Sequence, residues 1–133
     1  MSTRTTASHT FTKLIVADLE KMAAFYQEVY GLEVIERIQS SIGADPIDEI
    51  MLGRAGEQTG VLVLLTFLEK APPEQGEVIV GFVTDDVEAV YAQVLACGGG
   101  IHAKIKEEPG SPYKVGFATD PEGHLAEIVQ MLP

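Results

Sequence analysis

Apolar residues recur with two different spacings along the 133-residue chain. Over residues 19–30 they fall three or four positions apart, and the same spacing returns over residues 87–95, which predicts two amphipathic helices. Between these segments, short runs rich in Val, Ile, Leu and Phe are typical of strands. The predicted strands are 9–16, 32–39, 48–52, 60–67, 77–83, 101–106, 113–118 and 124–131.

The order strand, helix, three strands occurs twice. Asp18 is a good N-cap for the first helix, and Gly31 is its expected end. Asp85 with Glu88 three residues later suggests a capping box for the second helix, and Gly98 is its expected end. A constant shift of 67 residues relates these caps and ends. The sequence therefore predicts a duplicated βαβββ unit, over residues 9–67 and 77–131, in a single domain spanning 1–133.

One helix can cover only one face of a four-stranded sheet, so each unit has a second face to cover. We expect an α+β fold in which the two units form a curled mixed sheet around a cleft. Side chains alternate between faces along a strand. In the last strand, Glu127 is therefore expected to project into the cleft between Leu125 and Val129, while Ala126 and Ile128 pack beneath the helices.

Composition narrows the classes of partner. The formal net charge is −11, which argues against binding to nucleic acid or to an anionic membrane, because both require a basic surface. No apolar run approaches the ~20 residues that a membrane-spanning helix needs. Cys97 is the single cysteine, so an internal disulfide cannot form. The first ten residues lack the apolar stretch of a signal peptide, which predicts a cytoplasmic protein.

Several motifs in this order resemble the vicinal oxygen chelate superfamily, which includes glyoxalase I, bleomycin-resistance proteins and ring-cleaving dioxygenases. They are Val16–Leu19, Phe25–Tyr26, Gly31–Leu32 and Phe117–Gly123, followed by Glu127 seven residues after Asp120. The resemblance extends from about residue 9 to residue 131. It implies the duplicated βαβββ fold that the periodicity also predicts.

The resemblance also implies four metal-ligand positions in the cleft, on the first and fourth strands of each unit. They fall at Phe11, Leu64, Val78 and Glu127, and only Glu127 has a donor atom. A divalent ion in a catalytic site needs about three protein ligands. We therefore expect a degenerate metal site and no cofactor. A two-residue slip would bring His9 to the position of Phe11, and a separate metal site that uses His9 or His102 remains open.

The expected cleft is mostly apolar and aromatic, with Glu127 as its polar anchor and candidate catalytic residue. Lys13 shares the orientation of Phe11, so a structural Lys13–Glu127 pair is the alternative to a ligand site. Glu49 is expected to be solvated. The candidate lining residues are His9, Phe11, Lys13, Leu64, Val78, Tyr113, Val115 and Phe117.

Three functions fit this interpretation. The first is a metal-free small-molecule binding protein that resembles the bleomycin-resistance branch. The second is an isomerase, epimerase or lyase that uses Glu127 as a general base, since burial would favour proton uptake by the carboxylate. The third is a metal-dependent glyoxalase or dioxygenase with its ligands at other positions. In each case a homodimer is expected, because eight short strands in two sheets leave edges to be covered.

Overall fold

The computed structural model describes residues 5–133, so the first four residues of the predicted domain lie outside it. Eight strands and two helices form in the predicted order, and every predicted strand overlaps an observed one. They are β1 Phe11–Ile15, α1 Leu19–Tyr30, β2 Glu33–Ile42, β3 Asp45–Gly53, β4 Val61–Phe67, β5 Ile79–Thr84, α2 Val87–Ala96, β6 Gly100–Glu107, β7 Tyr113–Thr119 and β8 Leu125–Met131. In the described residues neither helix is long and apolar enough to cross a membrane.

Each half forms its own four-stranded mixed sheet. The strand order is β1-β4-β3-β2 in the first sheet and β5-β8-β7-β6 in the second. In both, the first and fourth strands of the unit run parallel and the remaining pairs are antiparallel. The α+β class and the duplication are confirmed. The two sheets are separate rather than one continuous sheet, so β1 and β5 each have one edge without a strand partner.

The second helix begins one residue later than predicted. Asp18 caps α1 by accepting a hydrogen bond from the Lys21 amide at 3.1 Å. In α2 the cap is Asp86, which accepts from the Ala89 amide at 3.0 Å, and Asp85 lies outside the helix. The two caps are thus 68 residues apart, not 67, and this difference changes which strand positions in the two halves correspond.

The core lies between the helices and the sheet faces that they cover. Leu14, Leu64, Ala126 and Ile128 are each at most 3% exposed on these faces. As predicted, Ala126 and Ile128 pack on the helix side of β8. Leu64 does the same on β4, so its predicted position in the cleft is wrong. We call the opposite surface of each sheet its far face.

Tyr91 of α2 connects the helix to the second sheet through hydrogen bonds to the strand backbone. Its hydroxyl accepts a hydrogen bond from the Phe117 amide at 2.7 Å and donates towards the carbonyl of Ala103 at 2.6 Å. The β6–β7 pairing is irregular on both sides of Ala103, so the phenol occupies a gap in the strand pairing. Gly116 lies beneath the ring, where an added Cβ would come within 2.6 Å of it.

Candidate functional site

Glu127 lies on the far face of the second sheet. On β8 it is opposite Gly81 of β5 and Phe117 of β7. Its neighbours Leu125 and Val129 share that face, and all three side chains are half-buried. Across residues 5–133, none of the ion pairs involves Glu127. The carboxylate is therefore available to a ligand, although it is less buried than the sequence suggested.

Three of the predicted lining residues share this face with Glu127. Phe117 is directly opposite Glu127, Val115 is opposite Val129, and Tyr113 is opposite Met131. Tyr113 is 44% exposed and Met131 is 58% exposed. This surface therefore combines one carboxylate with several accessible aromatic and aliphatic groups.

The 68-residue shift between the two caps identifies the positions of the first half that correspond to this face. Lys13 and Gly81 each lie five residues before their N-cap, and their partners on the parallel strand are Val63 and Glu127. By the same count, Phe11 corresponds to Ile79. Val63 and Ile79, rather than Leu64 and Val78, are thus the equivalents of Glu127 and Phe11.

The corrected positions leave the donor count unchanged. Phe11, Val63 and Ile79 have no lone pair to offer a metal ion, and Glu127 is the one donor among the four. In the described part of the chain, no group of three or more His, Cys, Asp or Glu side chains is placed to hold a metal ion. The residues at the family positions do not fit a catalytic divalent ion, which takes about three protein ligands.

The other predicted lining residues lie elsewhere. His9 is exposed and precedes β1, so it does not join Glu127. Phe11 is 51% exposed at the start of β1, and the Lys13 ammonium lies 5.9 Å from its ring centroid. Val78 is 43% exposed in the segment before β5, and His102 is exposed on β6.

Lys13 pairs with Glu49, not with Glu127. Its Nζ lies 2.6 Å from Glu49 Oε2 on the far face of the first sheet. The Glu49 side chain is only 7% exposed, whereas that of Lys13 is 37% exposed. The expectation that Glu49 is solvated is therefore wrong, because β3 places this carboxylate on the far face, where Lys13 contacts it. A buried carboxylate of this kind depends on its cation for stabilisation.

The turn that carries the family motif joins the two halves of the chain. The Glu122 carboxylate accepts hydrogen bonds from the amides of Ala17 at 2.7 Å and Asp18 at 2.8 Å, at the start of α1. Nearby, the Tyr26 hydroxyl donates to Asp120 Oδ2 at 2.8 Å. We call the set Tyr26, Asp120, Glu122 and His124 the inter-half staple. Sequence reasoning treated this motif as a family marker and missed its contacts.

His124 completes the inter-half staple. Its Nδ1 lies 2.7 Å from Asp120 Oδ2, and its Nε2 lies 3.0 Å from the Ile15 carbonyl of β1. Both partners are acceptors, and this arrangement favours the imidazolium form, in which both ring nitrogens carry hydrogens. Burial alone would lower the pKa of His124, but the hydrogen bond and charge of Asp120 outweigh it and raise the pKa. Burial likewise opposes ionisation of Asp120, yet contacts with His124 and Tyr26 lower its pKa.

Two bacterial proteins have sequences similar to this chain over most of its length. "Probable lactoylglutathione lyase" of Vibrio parahaemolyticus is 25% identical over 122 residues, covering 90% of this chain and 87% of that protein. The protein of the same name from Vibrio cholerae is 26% identical over 125 residues, with the same two coverages.

Solved structures share the fold. A glyoxalase family protein from Bacillus cereus superposes with a TM-score of 0.86 at 16% identity, covering 100% of this chain and 99% of that one. Glyoxalase I from Zea mays gives 0.71 at 19% identity, covering 94% of this chain and 45% of the maize chain. The model of the Glyoxalase/Bleomycin resistance protein/Dioxygenase superfamily matches residues 6–128. The chain therefore belongs to this superfamily.

Proposed function

We propose that the protein is a small-molecule binding protein in which Glu127 is the polar anchor of an apolar site. The observation that supports this proposal is the combination of an unpaired, half-buried carboxylate with the corresponding positions Phe11, Val63 and Ile79, which have no donor atoms. Phe117 and Val115 beside Glu127 supply apolar contact area. Such a surface favours an apolar ligand with a cationic or hydrogen-bond-donating group.

Binding of an apolar cation tests the anchor directly. Tetraphenylphosphonium is expected to bind, and Glu127→Gln is expected to weaken it by about tenfold, because the variant keeps the shape and loses the charge. The fold should tolerate this change, since Glu127 has no ion-pair partner. Isothermal titration measures the affinity, and thermal unfolding measures the stability.

Two controls make this result specific. Glu107→Gln removes an exposed carboxylate from β6 and should leave affinity unchanged, which separates a local anchor from the effect of net charge. Tetraphenylborate has the same shape with the opposite charge, and it should bind more weakly than the cation. Equal losses in the two Gln variants would rule out Glu127 as the anchor.

An enzymatic function is the second candidate, and the names of the Vibrio relatives favour it. Glu127 would then act as a general base on a carbon acid bound against Phe117. A lactoylglutathione lyase assay, together with metal analysis of protein purified without added metal, distinguishes this candidate. Turnover that Glu127→Gln abolishes would support the enzyme. A stoichiometric Zn²⁺ or Ni²⁺ site that disappears in Glu127→Ala would show that metal binds despite the poor donor set.

A homodimer is part of the proposal. In the described residues β1, β2, β5 and β6 each have an unpaired edge, and on β1 and β5 the side chains of Phe11, Ile79 and Val83 expose 51%, 55% and 76% of their surface. Open edges with apolar side chains favour pairing with another chain. Sedimentation equilibrium at tens of micromolar is expected to give a dimer, and Val83→Glu is expected to dissociate it. A monomeric wild-type protein would contradict the prediction.

A further inference from the structure

A cavity of about 660 Å³ lies where the two halves of the chain meet. We call it the junction pocket. The end of α1 and the start of β4 form one wall, and β5 with α2 forms the other. Its residues include Val29, Tyr30 and Leu62 from the first half, and Phe82, Val90 and Ile128 from the second. Glu127 is not among the residues lining it.

Apolar side chains form the floor of the junction pocket. Ile128 is 0% exposed, Leu62 is 5% exposed and Val29 is 8% exposed, so the floor is part of the core. Tyr30 from one wall and Phe82 from the other stack at 3.7 Å between ring centroids, so the two walls are in direct contact there. The volume falls within the ~300–1,000 Å³ range of small-molecule pockets. An elongated hydrocarbon or aryl group suits such a space.

Arg54 is the cation that lines the junction pocket. Lys13, Arg37, Lys70, Lys106 and Lys114 are all ion-paired. No such pair involves Arg54 in residues 5–133, which contain every Asp and Glu of the chain. A guanidinium is suited to binding a carboxylate through two parallel hydrogen bonds.

Asp85 is the one acidic residue that lines the junction pocket, and its charge is already partly stabilised by the protein. It lies directly before the N-cap of α2, where the helix dipole stabilises negative charge. Arg54 lies in the loop between β3 and β4, where no helix end stabilises its positive charge. The charge balance of the junction pocket therefore favours an anionic ligand group, although the net charge of the whole chain is negative.

We propose that the junction pocket is a second binding site, which takes an elongated apolar carboxylate with its head group on Arg54. Glu127 itself does not line this pocket, so the proposal would persist if the proposed role of Glu127 proved wrong. The alternative occupant is a strand of a second copy, because the free edge of β5, which the proposed homodimer also uses, runs along the pocket. Carboxylate binding and pairing at this edge would therefore compete.

Three probes with one chain length test the head-group preference. Dodecanoate, dodecanol and dodecylammonium are titrated into the 133-residue chain by calorimetry, below the concentrations at which the probes form micelles. Dodecanoate is expected to bind most tightly, with one molecule per chain. Arg54→Met should weaken dodecanoate by about tenfold and leave dodecanol unchanged, because only the charged contact is lost. Lys104→Met removes another unpaired cation, outside the pocket, and should have no effect.

A second variant tests the location. Val90→Phe places a larger side chain from α2 towards the junction pocket, and it should weaken both dodecanoate and dodecanol, with circular dichroism confirming the fold. Glu127→Gln should not change dodecanoate binding. The proposal is overturned if dodecylammonium binds best, or if Arg54→Met and Lys104→Met weaken dodecanoate equally. It is also overturned if dodecanoate does not bind, including the case of a dimer that fills the pocket.

Discussion

Asp120→Ala is expected to lower the free energy of unfolding by about 3–5 kcal/mol near pH 5.5, the range for breaking a buried ion pair. Asp120 is 4% exposed and His124 is 5% exposed, so the variant leaves an imidazolium and the Tyr26 hydroxyl without their acceptor. Chemical denaturation at constant temperature measures the effect. Asp45→Ala is the control, because it removes an exposed ion pair with Lys70 that contributes about 1 kcal/mol or less.

The cost of Asp120→Ala should shrink as the pH rises. The folded pKa of His124 is raised, so the stabilisation from its charged form is complete below its unfolded pKa and is lost as the pH rises through the folded value. The folded pKa of Asp120 is lowered, so its contribution is lost only when the pH falls through that value. The pair is therefore most stabilising in mildly acidic solution. A cost that stayed the same between pH 5.5 and pH 8.5 would show that His124 is neutral in the folded state.

Lys13→Met is expected to destabilise the protein by about 2–3 kcal/mol, somewhat less than for a fully buried pair because Lys13 is 37% exposed. The variant leaves the Glu49 carboxylate, 7% exposed on its side chain, without its cation. Glu49→Gln should cost less, because it removes the buried charge and keeps the shape. Thermal or chemical unfolding of both variants measures the difference.

The double variant Lys13→Met with Glu49→Gln tests whether the two residues act as a pair. Its cost should be close to that of Glu49→Gln alone, because the lysine no longer has a charge to compensate. Additive costs would contradict a direct interaction. The double variant Lys13→Met with Glu127→Gln is the matched control. The stability costs of these two substitutions should be additive, because Lys13 is ion-paired with Glu49 and not with Glu127.

Local patterns were sufficient to predict the secondary structure. The helix over residues 19–30 was predicted from a cap, an apolar stripe and a glycine, and all three have the expected roles, with Gly31 at a positive φ of 69°. Strand positions followed from short apolar runs between turn residues. These signals act within a few residues, so they do not depend on the rest of the fold.

The orientation of individual side chains was harder to predict, because one residue of error moves a side chain to the other face. Thr84–Asp85–Asp86 offers two adjacent N-caps, and choosing Asp85 shifted the alignment of the two halves by one position. The same sensitivity led to Leu64 being placed in the cleft, whereas it packs under α1. The first half instead presents Val63 at the position equivalent to Glu127.

Partners distant in sequence were not predictable at all. Lys13 meets Glu49 because β4 lies between β1 and β3, and the register of these strands places both side chains on the far face of the first sheet. The residues of the inter-half staple come from both halves of the chain. The periodicity of apolar residues does not predict which turn contacts which helix. For the candidate site, alternation along the strands predicted that Glu127 and the β7 residues face the same way, while the junction pocket arises from packing between the halves.

The contacts of Glu122 have a consequence for how the chain acquires its structure during synthesis. The Ala17 and Asp18 amides at the start of α1 find their acceptor 105 and 104 residues later. A nascent chain that ends near residue 70 therefore contains every strand of the first sheet. It lacks the Glu122 carboxylate that accepts hydrogen bonds from the amides at the start of α1. Closing so long a loop is entropically costly and slow. Both halves should consequently reach their final form together, after the motif turn has left the ribosome, and not one after the other.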